Sequence, residues 1–248
     1  MKLIFIRHAE PDYSVDSLTA AGFREAALLA KRVAQWPVTD VYVSPLGRAQ
    51  ATAAPSLQAL GCTGQTLPWL REFNCGEYDM PDRPGKRKRE PWDFLPEYWT
   101  ARPAFGDRDA WTTLPVMQSM PQNVDARFAE VCAGVDGLLA RYGHTREQGY
   151  YRVAADARRD AVAVCFCHLG VTGAAAGHVL NIAPPLLWQS FFLAPSSVTV
   201  LNTEEQTPGI AGFRCQMMGD TAHLRASGEP VSAMGAFGPV FDESGHTL

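Results

Sequence analysis

Lys2-Leu3-Ile4-Phe5-Ile6 runs directly into Arg7-His8. The apolar run has the length and the Leu/Ile/Phe content of a buried strand. It ends on a permanent cation followed by an imidazole. Open α/β sheets bind their ligands just beyond the carboxyl ends of their strands. Arg7 and His8 are therefore the first candidates for chemistry, and the chain is worth reading outward for others like them.

Two further strand ends carry similar residues. Asp40–Val43 reads as a short strand followed by Ser44-Pro45, with Arg48 a few residues on. Ala161–Cys167 is nearly all apolar, as a central strand should be, and is followed by His168. Between these strands lie helical patterns. Thr19–Trp36 repeats Phe23, Ala27, Ala30 and Val33 at helical spacing, with Arg24, Glu25, Lys31 and Arg32 on the outside. Thr19 is a suitable N-cap and Trp36-Pro37 a stop. Ser44 as N-cap and Pro45 at the first helical position start a second helix, with Leu46, Ala49, Ala53, Leu57 and Leu60 inward and Gly61 at its end. Thr66–Leu70 is a third candidate strand. Asn123–Tyr142 and Val171–Leu180 read as helices, and Tyr150–Val153 and Ser197–Thr203 as strands. Gly212–Met217 reads as a last, edge strand. This alternation predicts an α/β fold, a three-layer α/β/α sandwich on a mostly parallel central sheet.

One stretch breaks the pattern. Residues 79–121 hold seven of the 18 prolines, three tryptophans and the run Lys86-Arg87-Lys88-Arg89. Proline at that density excludes long helices and central strands. The chain therefore reads as a single domain, residues 1–248, with a loop-rich, lid-like insertion at about 79–121 and a loosely attached tail from about Ser227. Trp92, Phe94, Tyr98, Trp99 and Trp111 would anchor the insertion to the domain, with two alternatives: that some line the substrate pocket, or that they face a partner subunit. The basic run would be a solvated loop that helps steer anions.

Composition narrows the function. The 248 residues are 46% hydrophobic and 19% charged, which excludes general disorder. A net charge of -4 argues against a general binder of nucleic acid or of anionic membranes. The apolar stretch 161–193 is interrupted by His168, His178, Asn181 and Pro184-Pro185 before it could span a bilayer. Met1–Ile6 is too short for a signal-peptide core and lacks a cleavage site. The six cysteines form no framework and read as reduced thiols, which points to the cytoplasm. Cys165, Cys167 and His168 lack a second ligand pair, so a core role is preferred to a metal site.

If the three strand ends share one cleft, it contains two arginine forks, two imidazoles and two helix starts with exposed N–H groups. Those are the parts of a phosphoryl site. A neutral imidazole can attack phosphorus and become a phosphohistidine. Neighbouring arginines disfavour imidazolium and keep it neutral.

The same residues resemble a known family. Arg7-His8-Ala9-Glu10 is similar to the Arg-His-Gly signature of the histidine phosphatase (phosphoglycerate-mutase-like) superfamily. Ser44-Pro45-Leu46-Gly47-Arg48-Ala49-Gln50-Ala51-Thr52-Ala53 resembles its second motif. Leu70-Arg71-Glu72-Phe73-Asn74-Cys75-Gly76 resembles the proton-donor segment, and Cys167-His168-Leu169-Gly170 the late histidine motif. Leu18-Thr19-Ala20-Ala21-Gly22 and Gly219-Asp220-Thr221-Ala222-His223-Leu224 also fit. The resemblance implies that His8 is the phosphorylated nucleophile and that Arg7 and Arg48 hold phosphate oxygens. His168 would stabilise the transferring group, and Glu72 would protonate the leaving oxygen, with Glu77 or Glu10 as alternatives. It implies a phosphorylated small molecule as substrate and no metal or organic cofactor.

Three residues depart from the family pattern: Ala9 and Leu169 replace glycines, and Ser14 stands where asparagine is usual. The expected activity is hydrolysis of phosphate monoesters. The alternatives are a phosphoglycerate mutase using the same residues, or a catalytically inactive phosphate-binding protein.

Overall fold

A computed structural model describes residues 1–237; the end of the expected tail, residues 238–248, lies outside the described residues. Eight strands form one sheet: β1 (Lys2–Arg7), β2 (Asp40–Val43), β3 (Gln65–Thr66), β4 (His144–Glu147), β5 (Tyr150–Val153), β6 (Val162–Cys167), β7 (Val198–Thr207) and β8 (Ile210–Asp220). Their spatial order is β3-β2-β6-β1-β7-β8-β5-β4. The main helices are α1 (Ala20–Val33), α2 (Gly47–Leu60), α3 (Val124–Ala140), α4 (Leu169–Leu180) and α5 (Pro184–Ser190).

The strands have period two, so β1 supplies both cores. Ile4 and Ile6 pack with Leu29 and Val33 of α1 and Ala53 of α2. Leu3 and Phe5 face the other way, toward Val131 and Val135 of α3 and Val171 and Ala175 of α4. The result is the expected sandwich: α1 and α2 on one face, α3 and α4 on the other. Cys165 and Cys167 sit on the α3/α4 side, and burial pushes the Cys167 thiol up to about 12. Both cysteines behave as core residues.

The sheet is parallel in one half only. The pairs β3/β2, β2/β6 and β6/β1 are parallel, whereas β1/β7, β7/β8, β8/β5 and β5/β4 are antiparallel. The expectation of a mostly parallel sheet therefore holds for the left half and not for the right. The expected edge strand is longer than Gly212–Met217 and lies inside the sheet, because β5 and β4 extend the sheet beyond β8. Thr66–Leu70 is not a strand either: β3 ends at Thr66, and Pro68–Leu70 makes a 3-10 turn.

Two helix readings need correction. The buried stripe of α1 is Gly22, Glu25, Ala26, Leu29, Ala30 and Val33, while Phe23 is 52% exposed. The helix is rotated from the phase that Phe23 suggested, and Glu25 points inward. Helix α2 begins at Gly47, not after Ser44, and its first N–H groups are capped from outside. Gly47 N donates to Asp16 Oδ2 at 2.7 Å. Thr19 caps α1 as expected, accepting from Gly22 N at 3.0 Å.

Residues 79–121 contain only short helical turns and one two-stranded hairpin, Tyr78–Asp79 with Arg87–Lys88. Their aromatic side chains join the α3/α4 core: Trp92, Phe94, Phe105 and Trp111 are all buried there. Trp188 of α5 is the hub, with ring centroids 5.3 Å from Trp92, 5.4 Å from Trp111 and 5.1 Å from Phe73.

Candidate active site

The parallel pairing brings the strand-end residues together. Arg7 lies opposite Cys167 in the β1/β6 ladder, so the residues that follow, His8 and His168, emerge side by side. His8 N donates to Cys167 O at 2.9 Å and Ser44 N to Phe166 O at 2.9 Å, which locks the three strand ends in register. The imidazole rings of His8 and His168 stand 5.1 Å apart, centroid to centroid.

His8 is held as a specific tautomer. Its Nδ1 lies 2.8 Å from Ala9 O, and a carbonyl can only accept, so the proton is assigned to Nδ1. Nε2 is left with a free lone pair. Burial, reinforced by Arg7 and then Arg48, holds the His8 pKa well below its ordinary value, so the ring is neutral. His168 is likewise pushed well down, by burial first and then by His8 and the arginines. Its Nε2 pairs with Ser44 Oγ at 2.8 Å. Sequence reasoning gave Ser44 the role of a helix cap; its hydroxyl accepts from Leu46 N at 3.3 Å, ahead of α2, and pairs more closely with the second histidine.

The arginines approach from the same side. Arg7 Nη1 donates to Leu193 O at 2.6 Å, and Arg48 Nη1 to Asp16 Oδ1 at 2.6 Å. Arg7 Nε, Arg48 Nε and His168 Nδ1 are buried without a partner. Unpaired buried nitrogens are costly, and cationic forks of this kind suit an oxyanion. Among the described residues, no group of three His, Cys, Asp or Glu side chains is placed to hold a metal ion.

Glu72 completes the cluster from the segment after the Pro68–Leu70 turn. Arg127 of α3 fixes that segment, its Nη2 donating to Trp69 O at 2.9 Å and Arg71 O at 2.7 Å. Glu72 Oε1 accepts from Phe73 N at 2.7 Å and from Val171 N at 3.1 Å. Burial still raises its pKa against those opposing amide bonds. The close approach requires a glycine in the first turn of α4. A Cβ on Gly170 would overlap the Trp92 ring and come within 2.8 Å of Glu72 Oε1. The amides at the starts of α2 and α4, expected to face phosphate, thus serve the carboxylates of Asp16 and Glu72.

Arg7, Arg48, Glu72, Trp92 and Leu169 line a cleft of about 770 Å³. His8 and His168 are only 2% and 0% exposed and do not line it. Gly235–Phe237 also line the cleft, and a Cβ on Gly235 would come within 2.8 Å of Arg7 Nη2. The described part of the tail therefore crosses the site.

The other candidates fall away from this cluster. Glu77 pairs with Arg87 at 3.0 Å, and Glu10 accepts from Thr19 Oγ1 at 2.8 Å. In the basic run, Lys86 and Lys88 share Asp93, at 3.5 and 2.7 Å, and Arg87 pairs with Glu77, while Lys88 and Arg89 line the cleft.

Comparison with known proteins shows the family and the fold. The family model described as "Histidine phosphatase superfamily (branch 1)" matches residues 3–216. The chain belongs to the histidine phosphatase superfamily. A probable phosphoglycerate mutase, GpmB, of Yersinia enterocolitica is 38% identical over 85 residues, covering 31% of this chain and 40% of that protein. The chain thus matches less than half the length of such curated relatives. Among solved structures, a mycobacterial glucosyl-3-phosphoglycerate phosphatase superposes with a TM-score of 0.61 at 20% identity, covering 89% of this chain and 99% of that one. The alpha-ribazole phosphatase of Shigella flexneri gives 0.56 at 18% identity, covering 89% and 96%. A phosphoserine phosphatase of Entamoeba histolytica, solved in complex with 3-phosphoglyceric acid, gives 0.54 at 18% identity, covering 90% and 98%. At these identities the shared property is the fold.

Within the histidine phosphatase fold, the three departures can now be placed. Ala9 is fully buried and has no positive φ, so the missing glycine costs no backbone strain. Ser14 turns away, its Oγ donating to Asp12 Oδ1 at 2.6 Å. Leu169 is the first residue of α4 and lines the cleft. Two residues to which the sequence reading gave no part near the site also support the loop after β1. Buried Glu25 accepts from Glu10 N at 2.9 Å, and its carboxyl is pushed up to about 7, mainly by burial. Ser196 N donates to His8 O at 3.0 Å, and Ser196 Oγ pairs with His223 Nε2 at 3.0 Å.

Proposed function

We propose that this protein is a phosphomonoesterase that works through a covalent phosphohistidine at His8. The observation that carries this reading is the His8 tautomer: Nδ1 is tied to the Ala9 carbonyl, and Nε2 is unprotonated on a ring kept neutral. In the first step Nε2 attacks phosphorus and the ester P–O bond breaks. Glu72, whose raised pKa favours the acid form, gives its proton to the leaving oxygen. In the second step water attacks the phosphohistidine while Glu72 takes its proton, and His8 is regenerated with release of phosphate. Arg7 and Arg48 neutralise the phosphoryl oxygens, and His168, held by Ser44, stabilises them as charge develops. The scheme needs neither a metal nor an organic cofactor.

The catalytic groups touch only the phosphoryl group, so specificity falls to the residues around the cleft, among them 79–121 and the tail, which we read as covers on a single domain. The six unpaired cysteines suit a cytoplasmic setting. Among the described residues, no helix is long and apolar enough to cross a membrane. Incubation with a phosphate ester followed by rapid denaturation should leave acid-labile phosphate on the wild type and none on His8→Ala. Equal labelling of the two would remove His8 from the mechanism.

The name of the Yersinia relative favours a second reading, transfer of the phosphoryl group between positions of a phosphoglycerate. Free phosphate release from 3-phosphoglycerate, without 2-phosphoglycerate appearing, separates hydrolysis from mutase action.

A further inference from the structure

Beside the charged cleft lies a second, smaller cavity of about 170 Å³, walled by Leu169, Trp188, Phe191, Phe192 and Phe237. Leu169 and Gly235–Phe237 line both cavities, so the two share a wall. Of the polar side chains on its wall, Gln189 is committed, accepting from Asp93 N at 2.9 Å and donating to Phe94 O at 3.2 Å, which leaves the Ser190 hydroxyl. Trp188 Nε1 donates to Gly170 O at 2.9 Å, which leaves its ring face to the cavity. Phe191 and Phe192 are 46% and 37% exposed, large apolar surfaces left uncovered by the described residues. The cavity is also held at a set distance from the phosphate end, because Arg7 Nη1 is bonded to Leu193 O, in the same segment as Phe191 and Phe192.

We infer that this cavity is the subsite for the leaving group, and that the preferred substrates are phosphate monoesters of alcohols carrying an apolar group the size of one ring. The inference rests on the phosphomonoesterase reading above. A dry cavity of roughly 150 Å³ holds one benzene molecule, so the volume here suits a phenyl ring or a short branched chain. Position supports the same occupant. Leu169 directly follows His168, so a substituent leaving the phosphoryl site along the α4 start meets Leu169 and then the phenylalanines. The glycine usual in the family at this position would leave the junction open and without apolar contact. A multiply charged leaving group would find, among the described residues, no charged partner on this side.

The test compares benzyl phosphate with glycerol 1-phosphate, esters of two alcohols of similar basicity, so that differences read binding and not bond cleavage. The wild type should favour benzyl phosphate in kcat/KM by roughly 10- to 100-fold, the range expected for burying a ring-sized apolar group. Phe191→Ala and Phe192→Ala, both exposed positions, should erase most of that preference through the benzyl phosphate reaction and leave glycerol 1-phosphate hydrolysis unchanged. Equal rates on the two esters in the wild type, or an equal loss on both in the variants, would overturn the subsite. Absence of hydrolysis and of phosphohistidine with either ester would instead count against the phosphomonoesterase reading itself.

Discussion

The two halves of the sheet contain similar strands, yet only one carries the site. In the parallel half, β2, β6 and β1 all end at the same edge, and each is followed by a turn into a helix or loop. Ser44, His168 and His8 are therefore neighbours by construction, locked by His8 N to Cys167 O and Ser44 N to Phe166 O. In the antiparallel half, neighbouring strands end at opposite edges, and the polar cluster there does a different job. Tyr151 OH donates to Asp136 Oδ1 at 3.0 Å, Asp136 Oδ2 pairs with His178 Nε2 at 2.8 Å, and Arg146 donates to Tyr151 OH at 3.0 Å. That network joins β5 to α3 and α4, and each of its side chains has a partner within it. The site has buried nitrogens left over.

The largest expected break of this contrast, among conservative changes, is Glu72→Gln. It keeps the shape but removes the proton, so hydrolysis of an alkyl phosphate should fall by about 10² to 10⁴. In kcat/KM, which reads the steps up to P–O cleavage and not the water step that Glu72 also serves, a p-nitrophenyl ester, whose leaving group needs no proton, should lose far less. Equal losses on both esters would assign Glu72 a positioning role only.

Glu25 gives the next effect, read in stability. Its folded pKa is raised to about 7 from an ordinary 4.5, so the unfolded chain releases this proton first as pH rises. The folded state is thus favoured below pH 4.5 and loses that advantage as pH climbs through about 7. The change is on the order of 2–3 kcal/mol. Glu25→Gln retains the acceptor for Glu10 N and should flatten that part of the stability profile. An unchanged slope would show that Glu25 is not the group responsible.

The smallest effects come as a pair, one residue from each half. Ser44→Ala removes the partner of His168 Nε2 and should lower kcat about tenfold with little change in melting temperature. Tyr151→Phe should cost about 1 kcal/mol of stability and leave kcat alone. The reverse pattern would dissolve the distinction between the two halves.

The sequence displayed the site better than the fold around it. Arg7, His8, Arg48, Glu72 and His168 follow recognisable local signals, because strand ends and adjacent motifs are short-range features. What stayed hidden depends on distant partners. Asp16 caps α2 from another loop, which is why Ser44-Pro45 misread as the helix start. Phe23 pulled the reading of α1 out of phase, since an exposed aromatic looks inward in a helical pattern while a buried Glu25 looks outward. Strand direction in the right half is set by pairing across long separations, and no residue type encodes it. Gly235 against Arg7 likewise leaves no mark in the sequence.

The central claim is that the phosphoryl group moves twice, first to His8 and then to water. Each in-line displacement inverts phosphorus, so hydrolysis of an isotopically chiral phosphate ester reads the number of transfers directly. Two transfers through His8 predict phosphate of retained configuration. Inverted phosphate would mean that water attacks the ester in a single step, and would contradict a phosphohistidine at this site.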